Sequence, residues 1–296
     1  MKKKAIKIIA CRRAGLSGDK RNCSWLPLML LTVSGLLFLV LAGCDYLEGY
    51  SVQDYLNNVA QIQYSSDYAL LGMNADLNAL GADDLKEVEA TTARLKTEQN
   101  QVVQTIEQLD QLEAPESVAS LKSHLLDLYA QGADNIGILA ASGDYRLATE
   151  PLIGEYESAS KSFSEKVKTA TDQTSLVACL QEYENALTSI SERLKPIVPS
   201  MLSVHSHQRF IDNLNTLQAG LGETIAGLEG SDKTKLDEAT AKMAAIEGGG
   251  ADMRQTIKTE READIRQYNA RIQKMADLMS QIGQDQLELH QQFDRK

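Results

Sequence analysis

The histidines are the side chains of this sequence best suited to catalysis or metal binding, and they are few and scattered. They are His124, His205, His207 and His290. On one helix, residues two positions apart point about 200° away from each other, so His205 and His207 cannot chelate the same ion. The sequence contains no H-E-x-x-H pattern and no C-x-x-C pattern. We therefore expect no metal and no other cofactor.

Motifs for phosphate binding and nucleophilic catalysis are also missing. Gly220-Leu221-Gly222 lies inside a helical pattern, with no strand before it and no later glycine at the spacing of a nucleotide-binding loop. No serine stands in a G-x-S-x-G motif. The many carboxylates are typical of the solvated faces of amphipathic helices. The sequence therefore predicts no catalytic residue, and a protein that acts by binding.

The one residue with a specific chemical signature is Cys44. A basic segment precedes an apolar run of about 18 residues from Trp25 to Ala42, which is the order of a secretory signal. At its end, Leu41-Ala42-Gly43-Cys44 resembles the lipobox of bacterial lipoprotein signal peptides.

That resemblance implies cleavage between Gly43 and Cys44, with a diacylglyceryl group on the Cys44 thiol and an acylated N-terminus. Residues 1–43 would be removed, and the acyl chains would hold the protein on the extracytoplasmic side of the cell membrane. The alternative is an uncleaved signal anchor, because 18 apolar residues are at the lower limit for crossing a bilayer.

Processing would change the charge and the cysteine content of the chain. Loss of residues 1–43 leaves 22 basic and 40 acidic residues, a net charge of about −18. Such a charge is repelled by nucleic acid, which we exclude as a partner, and by anionic lipid surfaces. Cys179 would be the one unmodified cysteine. Its neighbours place it on an apolar helical stripe, so we expect it to be buried.

The mature chain is predicted to be all-α, an elongated antiparallel helical bundle. Good helix formers dominate long segments, and runs of alternating β-branched residues are missing. After a short membrane tether (44–50), we expect a helical domain over 51–296. Its predicted helix ends are Gly81, Pro115, Ser142-Gly143-Asp144, Pro199 and the Gly248–Gly250 loop.

The order of these breaks suggests two repeated three-helix units. When the sequence is aligned with itself so that Pro115 matches Pro199, His124 falls within one residue of His207. The two units would then cover residues 84–171 and 172–258. Few residues are identical between the units, so convergence between helical bundles explains the pattern nearly as well.

A long C-terminal helix is predicted over 251–292, with a narrow coiled-coil-like stripe. The stripe consists of Ile265, Tyr268, Ile272, Met275, Met279, Ile282 and Leu289. Apolar residues at three-four spacing suit a coiled-coil seam. Either the stripe packs inside its own bundle, or it protrudes and binds a protein partner or a second copy of the chain.

Together these features favour a lipid-anchored, extracytoplasmic helical binding or adaptor protein of the bacterial cell envelope, without catalytic activity. The alternative is a substrate- or metal-ion-binding lipoprotein that serves a transporter, with its site between helices.

Overall fold

The computed structural model describes residues 47–230 and 253–294. The signal peptide, Gly43, Cys44 and the Gly248–Gly250 loop lie outside the described residues. The six α-helices are α1 (Leu47–Ala79), α2 (Leu85–Gln111), α3 (Ala119–Thr169), α4 (Gln173–Leu194), α5 (Val204–Gly230) and α6 (Met253–Asp294). The described part of the chain contains no strand, which confirms the all-α prediction.

Local sequence signals explain several helix starts. Asp84 caps α2 by accepting a hydrogen bond from the backbone N–H of Lys86 at 2.9 Å. Asp172 and Ser175 form a reciprocal capping box at the start of α4. A short 3₁₀ turn, Glu116–Val118, follows Pro115 and leads into α3.

The first hydrophobic core lies among α1, α2, α6 and the first part of α3. Its most deeply buried side chains include Val88, Leu95, Leu121, Ile136, Leu139 and Tyr268. The side chains of Ser66 (α1) and Thr105 (α2) are hydrogen-bonded at 2.7 Å inside this bundle. That contact, with the Asp76–Arg94 ion pair, sets α1 and α2 antiparallel.

The second core lies among the rest of α3, α4 and α5. It is built from Leu152, Ile153, Tyr156, Phe163, Leu180, Tyr183, Leu187, Ile190, Leu194, Phe210, Leu214, Leu217, Leu221 and Ile225. The rings of Phe163 and Tyr183 stack with centroids 4.6 Å apart, and Tyr156 meets Phe210 edge to face. The two cores are therefore arranged along α3, which belongs to both.

The predicted helix end at Ser142-Gly143-Asp144 is wrong. α3 continues through this stretch and through Pro151 to Thr169, so its 51 residues span about 75 Å. Gly143 serves close packing: a Cβ there would lie 1.9 Å from Oγ1 of Thr92 on α2. Glycine at this position therefore lets α2 approach α3, and it does not terminate the helix.

Other predicted boundaries agree with the structure to within a few residues. The ends of α1, α2 and α4 match their predicted breaks. α1 begins at Leu47, inside the segment 44–50 that was predicted to be a tether. The internal repeat stays a prediction, because its second unit runs into residues 231–252, which the structure does not describe.

Candidate functional site

The stripe on the C-terminal helix faces the core of its own bundle. Tyr268, Ile272, Met275, Ile282 and Leu289 are buried in the first core, and Ile265 and Met279 pack against it. Of the two alternatives for this stripe, the contacts therefore favour packing inside its own bundle, where α3 is the main neighbour of α6, over an exposed partner-binding seam.

A polar contact fixes the register of α6 against α3. The fully buried Asn135 of α3 accepts a hydrogen bond from Nε of Arg271 at 2.7 Å, and its amide lies 3.0 Å from the sulfur of Met275. Arg271 also lies 3.5 Å from the carboxylate of Asp134. Side chains of α6 thus satisfy a polar group in the core, which makes α6 an integral part of the bundle.

The histidines have separate partners, as their spacing predicted for His205 and His207. Nδ1 of His205 lies 2.5 Å from Oδ1 of Asp264, whereas Nδ1 of the buried His207 lies 3.3 Å from the hydroxyl of Tyr145. His124 is 2.7 Å from Asp285. In the two described ranges, no three His, Cys, Asp or Glu residues are grouped so that they could hold a metal ion.

A polar junction lies where the two cores meet. We use this name for Tyr145 and Arg146 of α3, His205 and His207 of α5, and Asp264 of α6. Arg146 donates a hydrogen bond of 2.7 Å to the backbone carbonyl of Leu80, at the end of α1. Side chains from α3, α5 and α6, together with the end of α1, therefore connect the two parts of the molecule.

The junction contains a buried carboxylate. Asp264 is 1% exposed, and its Oδ2 has no hydrogen-bond partner among the residues that the structure describes. The hydrogen bond to Asp264 raises the pKa of His205, with a smaller contribution from the charge of Glu260. His205 itself is exposed, so a proton can reach this ion pair directly from solvent.

Burial shifts three other groups of the region toward their neutral forms. It raises the pKa of Tyr145 to about 12 and lowers that of His207. The pKa of Arg261 on α6 is lowered by burial and by the positive charge of Arg146. The region thus combines two neighbouring guanidinium groups with one buried carboxylate.

The second feature is the outward side of α1, which we call the tyrosine face: Tyr64, Tyr68, Leu71 and Ala75. Their 4-3-4 spacing places all four on one side of the helix. Tyr64 and Tyr68 are 66% and 64% exposed, and their rings meet edge to face with centroids 5.6 Å apart. Leu71 is 40% exposed.

Over the turns that carry the tyrosine face, α1 itself presents no exposed charged side chain. Between Tyr55 and Ala82 the chain has two charged residues, Asp67 and Asp76. Asp67 is half-buried and accepts a hydrogen bond from Tyr129 at 2.5 Å, and Asp76 is buried in an ion pair with Arg94. Every exposed residue of this stretch is therefore uncharged, in a chain in which 24% of residues are charged.

Neither the polar junction nor the tyrosine face was predicted from the sequence. The low number of charged residues between positions 55 and 82 is visible in the sequence, but α1 carries apolar residues on more than one side, and only packing shows which side faces the core. His205 and Asp264 are 59 positions apart, and no local pattern joins them. Cys179, which we expected to be buried, is a half-buried free thiol.

None of the helices in the described residues has both the length and the apolar character needed to span a membrane. In comparisons with known proteins, the chain matches no family model, no curated protein and no solved structure. The function is therefore inferred from the chain's own residues and contacts.

Proposed function

We propose that this chain is a lipid-anchored binding or adaptor protein on the extracytoplasmic side of a bacterial cell membrane. In this proposal Cys44 carries the acyl chains and residues 1–43 are removed. The support is the succession of a basic segment, an apolar run and Leu41-Ala42-Gly43-Cys44. Only two residues separate Cys44 from the start of α1 at Leu47, so the bundle would stand directly at the bilayer surface.

The tyrosine face is the observation that carries the binding role. Single exposed apolar residues are common on any protein surface. Here two tyrosines and a leucine are exposed next to one another on one helix face, along turns of α1 that carry no exposed charge of their own. Tyrosine is enriched at protein interfaces, because its ring buries much area and its hydroxyl keeps a hydrogen bond. The proposed protein therefore acts by presenting this face to a partner, without catalysis.

Metabolic labelling with an alkyne fatty acid tests the anchor. The wild-type chain should incorporate the label and fractionate with membranes, because the thiol of Cys44 is the acylation site. The variant Cys44→Ala should lose both the label and the cleavage, whereas Cys179→Ala should keep them. An unlabelled wild-type chain that retains residues 1–43 would favour the uncleaved signal anchor.

The polar junction favours a second candidate function, a substrate- or metal-ion-binding lipoprotein that serves a transporter. The specific observation is the buried Asp264 oxygen without a described partner, next to Tyr145 and between helices. Thermal unfolding in the presence of Mn²⁺, Zn²⁺ or Ca²⁺ tests for a metal ion. A rise in Tm that Asp264→Asn abolishes would support this candidate, and no rise with any of the three would argue against a metal-ion receptor.

A further inference from the structure

We propose that the tyrosine face docks against the same face of a second copy of the chain, so that anchored copies pair on the membrane surface. This inference rests on the proposed lipid anchor. It assigns self-association to α1, since the stripe on α6 is covered by its own bundle.

The spacing of the tyrosine face suits helix pairing. Tyr64, Tyr68, Leu71 and Ala75 occupy alternating a and d positions of a heptad, which is the pattern of a two-helix seam. Ala75 is small, so it allows two helix backbones to approach closely at that end of the face. In a two-fold symmetric pair, both copies would contribute these same residues.

The charge of the chain favours a second copy, and not a lipid surface, as the occupant of the tyrosine face. α1 contains four acidic residues and no lysine or arginine, whereas helices that lie on membranes usually carry basic residues on their polar side. With a net charge of about −18 after processing, two copies repel each other over most of their surfaces. The four residues of the tyrosine face are themselves uncharged, so contact at these positions places no like charges opposite each other.

The area of the tyrosine face is too small for a stable pair in solution, so pairing would depend on confinement of both copies to the membrane. The exposed fractions of Tyr64, Tyr68 and Leu71 correspond to about 300 Å² per copy, or about 600 Å² for a pair. A stable interface in solution needs about 1,200 Å². Confinement to one membrane raises the effective concentration of the second copy, which compensates for a weak contact.

Anchoring would also align the faces of two copies. Leu47 follows Cys44 by three positions, so α1 would begin at the same height above the bilayer in every copy. Tyr68 lies 21 residues after Leu47, about 32 Å along the helix axis. The same residues would therefore face each other in neighbouring copies, as self-docking requires.

Photo-crosslinking on the membrane identifies the occupant of the face. The full-length chain carries Tyr68→p-benzoylphenylalanine, which keeps an aromatic ring at the centre of the face. Two versions with different epitope tags are expressed together, and isolated membranes are irradiated. The matched control places the same photo-reactive residue at the exposed Ser164 of α3, beside the second core.

Pairing predicts a cross-linked species of twice the chain mass that contains both tags, from position 68 and not from position 164. Adding Tyr64→Glu and Leu71→Glu should reduce its yield about tenfold, because four carboxylates would then meet at the seam. Both residues are solvent-exposed, so the fold should tolerate the changes; unaltered circular dichroism of the variant checks this.

Four results would overturn the pairing: adducts of position 68 with lipid, adducts with a different protein, the same dimer yield from positions 68 and 164, or no adduct at all. Fatty-acid labelling of the same samples separates the two proposals. A labelled chain without the dimer contradicts the pairing alone, and an unlabelled chain contradicts the lipid anchor.

Discussion

Nδ1 of His205 on α5 lies 2.5 Å from Oδ1 of Asp264 on α6, and this contact joins helices that belong to different cores. Close by, Nδ1 of His207 lies 3.3 Å from the Tyr145 hydroxyl on α3. The pKa values of the two histidines are shifted in opposite directions. The contact with Asp264 raises the pKa of His205, whereas burial lowers the pKa of His207.

The His205 contact should stabilise the fold below neutral pH. Asp264 raises the pKa of His205 above its ordinary value of 6.5, so the folded chain holds the proton more tightly than the unfolded chain. This contribution is fully present below pH 6.5 and is lost as pH rises through the raised pKa. His205→Gln should therefore lower the free energy of unfolding more at about pH 6 than at about pH 8.5, as measured with urea. An equal loss of unfolding free energy at both pH values would contradict the raised pKa of His205.

The variant His207→Gln should show the opposite dependence. Burial lowers the pKa of His207 below 6.5, so the unfolded chain binds the proton more tightly. The stability contributed by neutral His207 is present above pH 6.5 and is lost as pH falls through the lowered pKa. The same urea titrations should find a larger effect of this substitution at about pH 8.5 than at about pH 6.

Removal of Arg94 should destabilise the first core. Asp76 is 2% exposed and depends on Arg94 for its charge partner, which is itself 47% exposed. Leaving a buried carboxylate unpaired costs about 3–5 kcal/mol, and partial solvent access reduces this to about 2 kcal/mol for Arg94→Ala. The control is Lys96→Ala on the same helix, whose exposed pair with Asp144 should contribute less than about 1 kcal/mol. Equal effects in urea unfolding would contradict the burial of Asp76.

A methyl group at position 143 should separate α2 from α3. The Cβ of Gly143→Ala would meet Oγ1 of Thr92 at 1.9 Å and Cδ2 of Leu80 at 3.0 Å, which should cost about 1–3 kcal/mol. On the same helix, Gly154 has open space around its Cβ position, and Gly154→Ala should stabilise by up to about 1 kcal/mol. The difference in Tm between the two variants tests the close approach at Gly143.

A charge on the α6 stripe should unfold the bundle. Ile272 is buried in the first core, so Ile272→Asp would place an unpaired carboxylate there at a cost of several kcal/mol. Leu287 on the same helix is exposed, and Leu287→Asp should leave Tm nearly unchanged. A stable, folded Ile272→Asp variant would show that α6 is not part of the core.

Much of this fold could be predicted because helix signals are local. Apolar spacing located α2, and proline and glycine marked the ends of α1, α2 and α4. Ser142-Gly143-Asp144 misled the prediction, because these residues also form turns. Whether a glycine ends a helix or admits a neighbour depends on the packing of Thr92 and Leu80, which lie far away in the sequence.

The candidate sites were harder to predict for the same reason. The stripe on α6 looked too narrow for a core helix, but Asn135 and Arg271 contribute polar contacts beside it that no apolar pattern reveals. Conversely, Tyr64 and Tyr68 resemble core residues by type, and they are exposed because other sides of α1 already face α2 and α3. Long-range packing, not helix propensity, decides which residues remain available for a partner.

The intact mass of the protein extracted from membranes tests the central claim most directly. The proposed lipid anchor predicts a chain that begins at Cys44 and carries a diacylglyceryl group on the N-terminal cysteine, with or without a further acyl chain on its amine. A mass that includes residues 1–43, or a mature chain without lipid on Cys44, would contradict it.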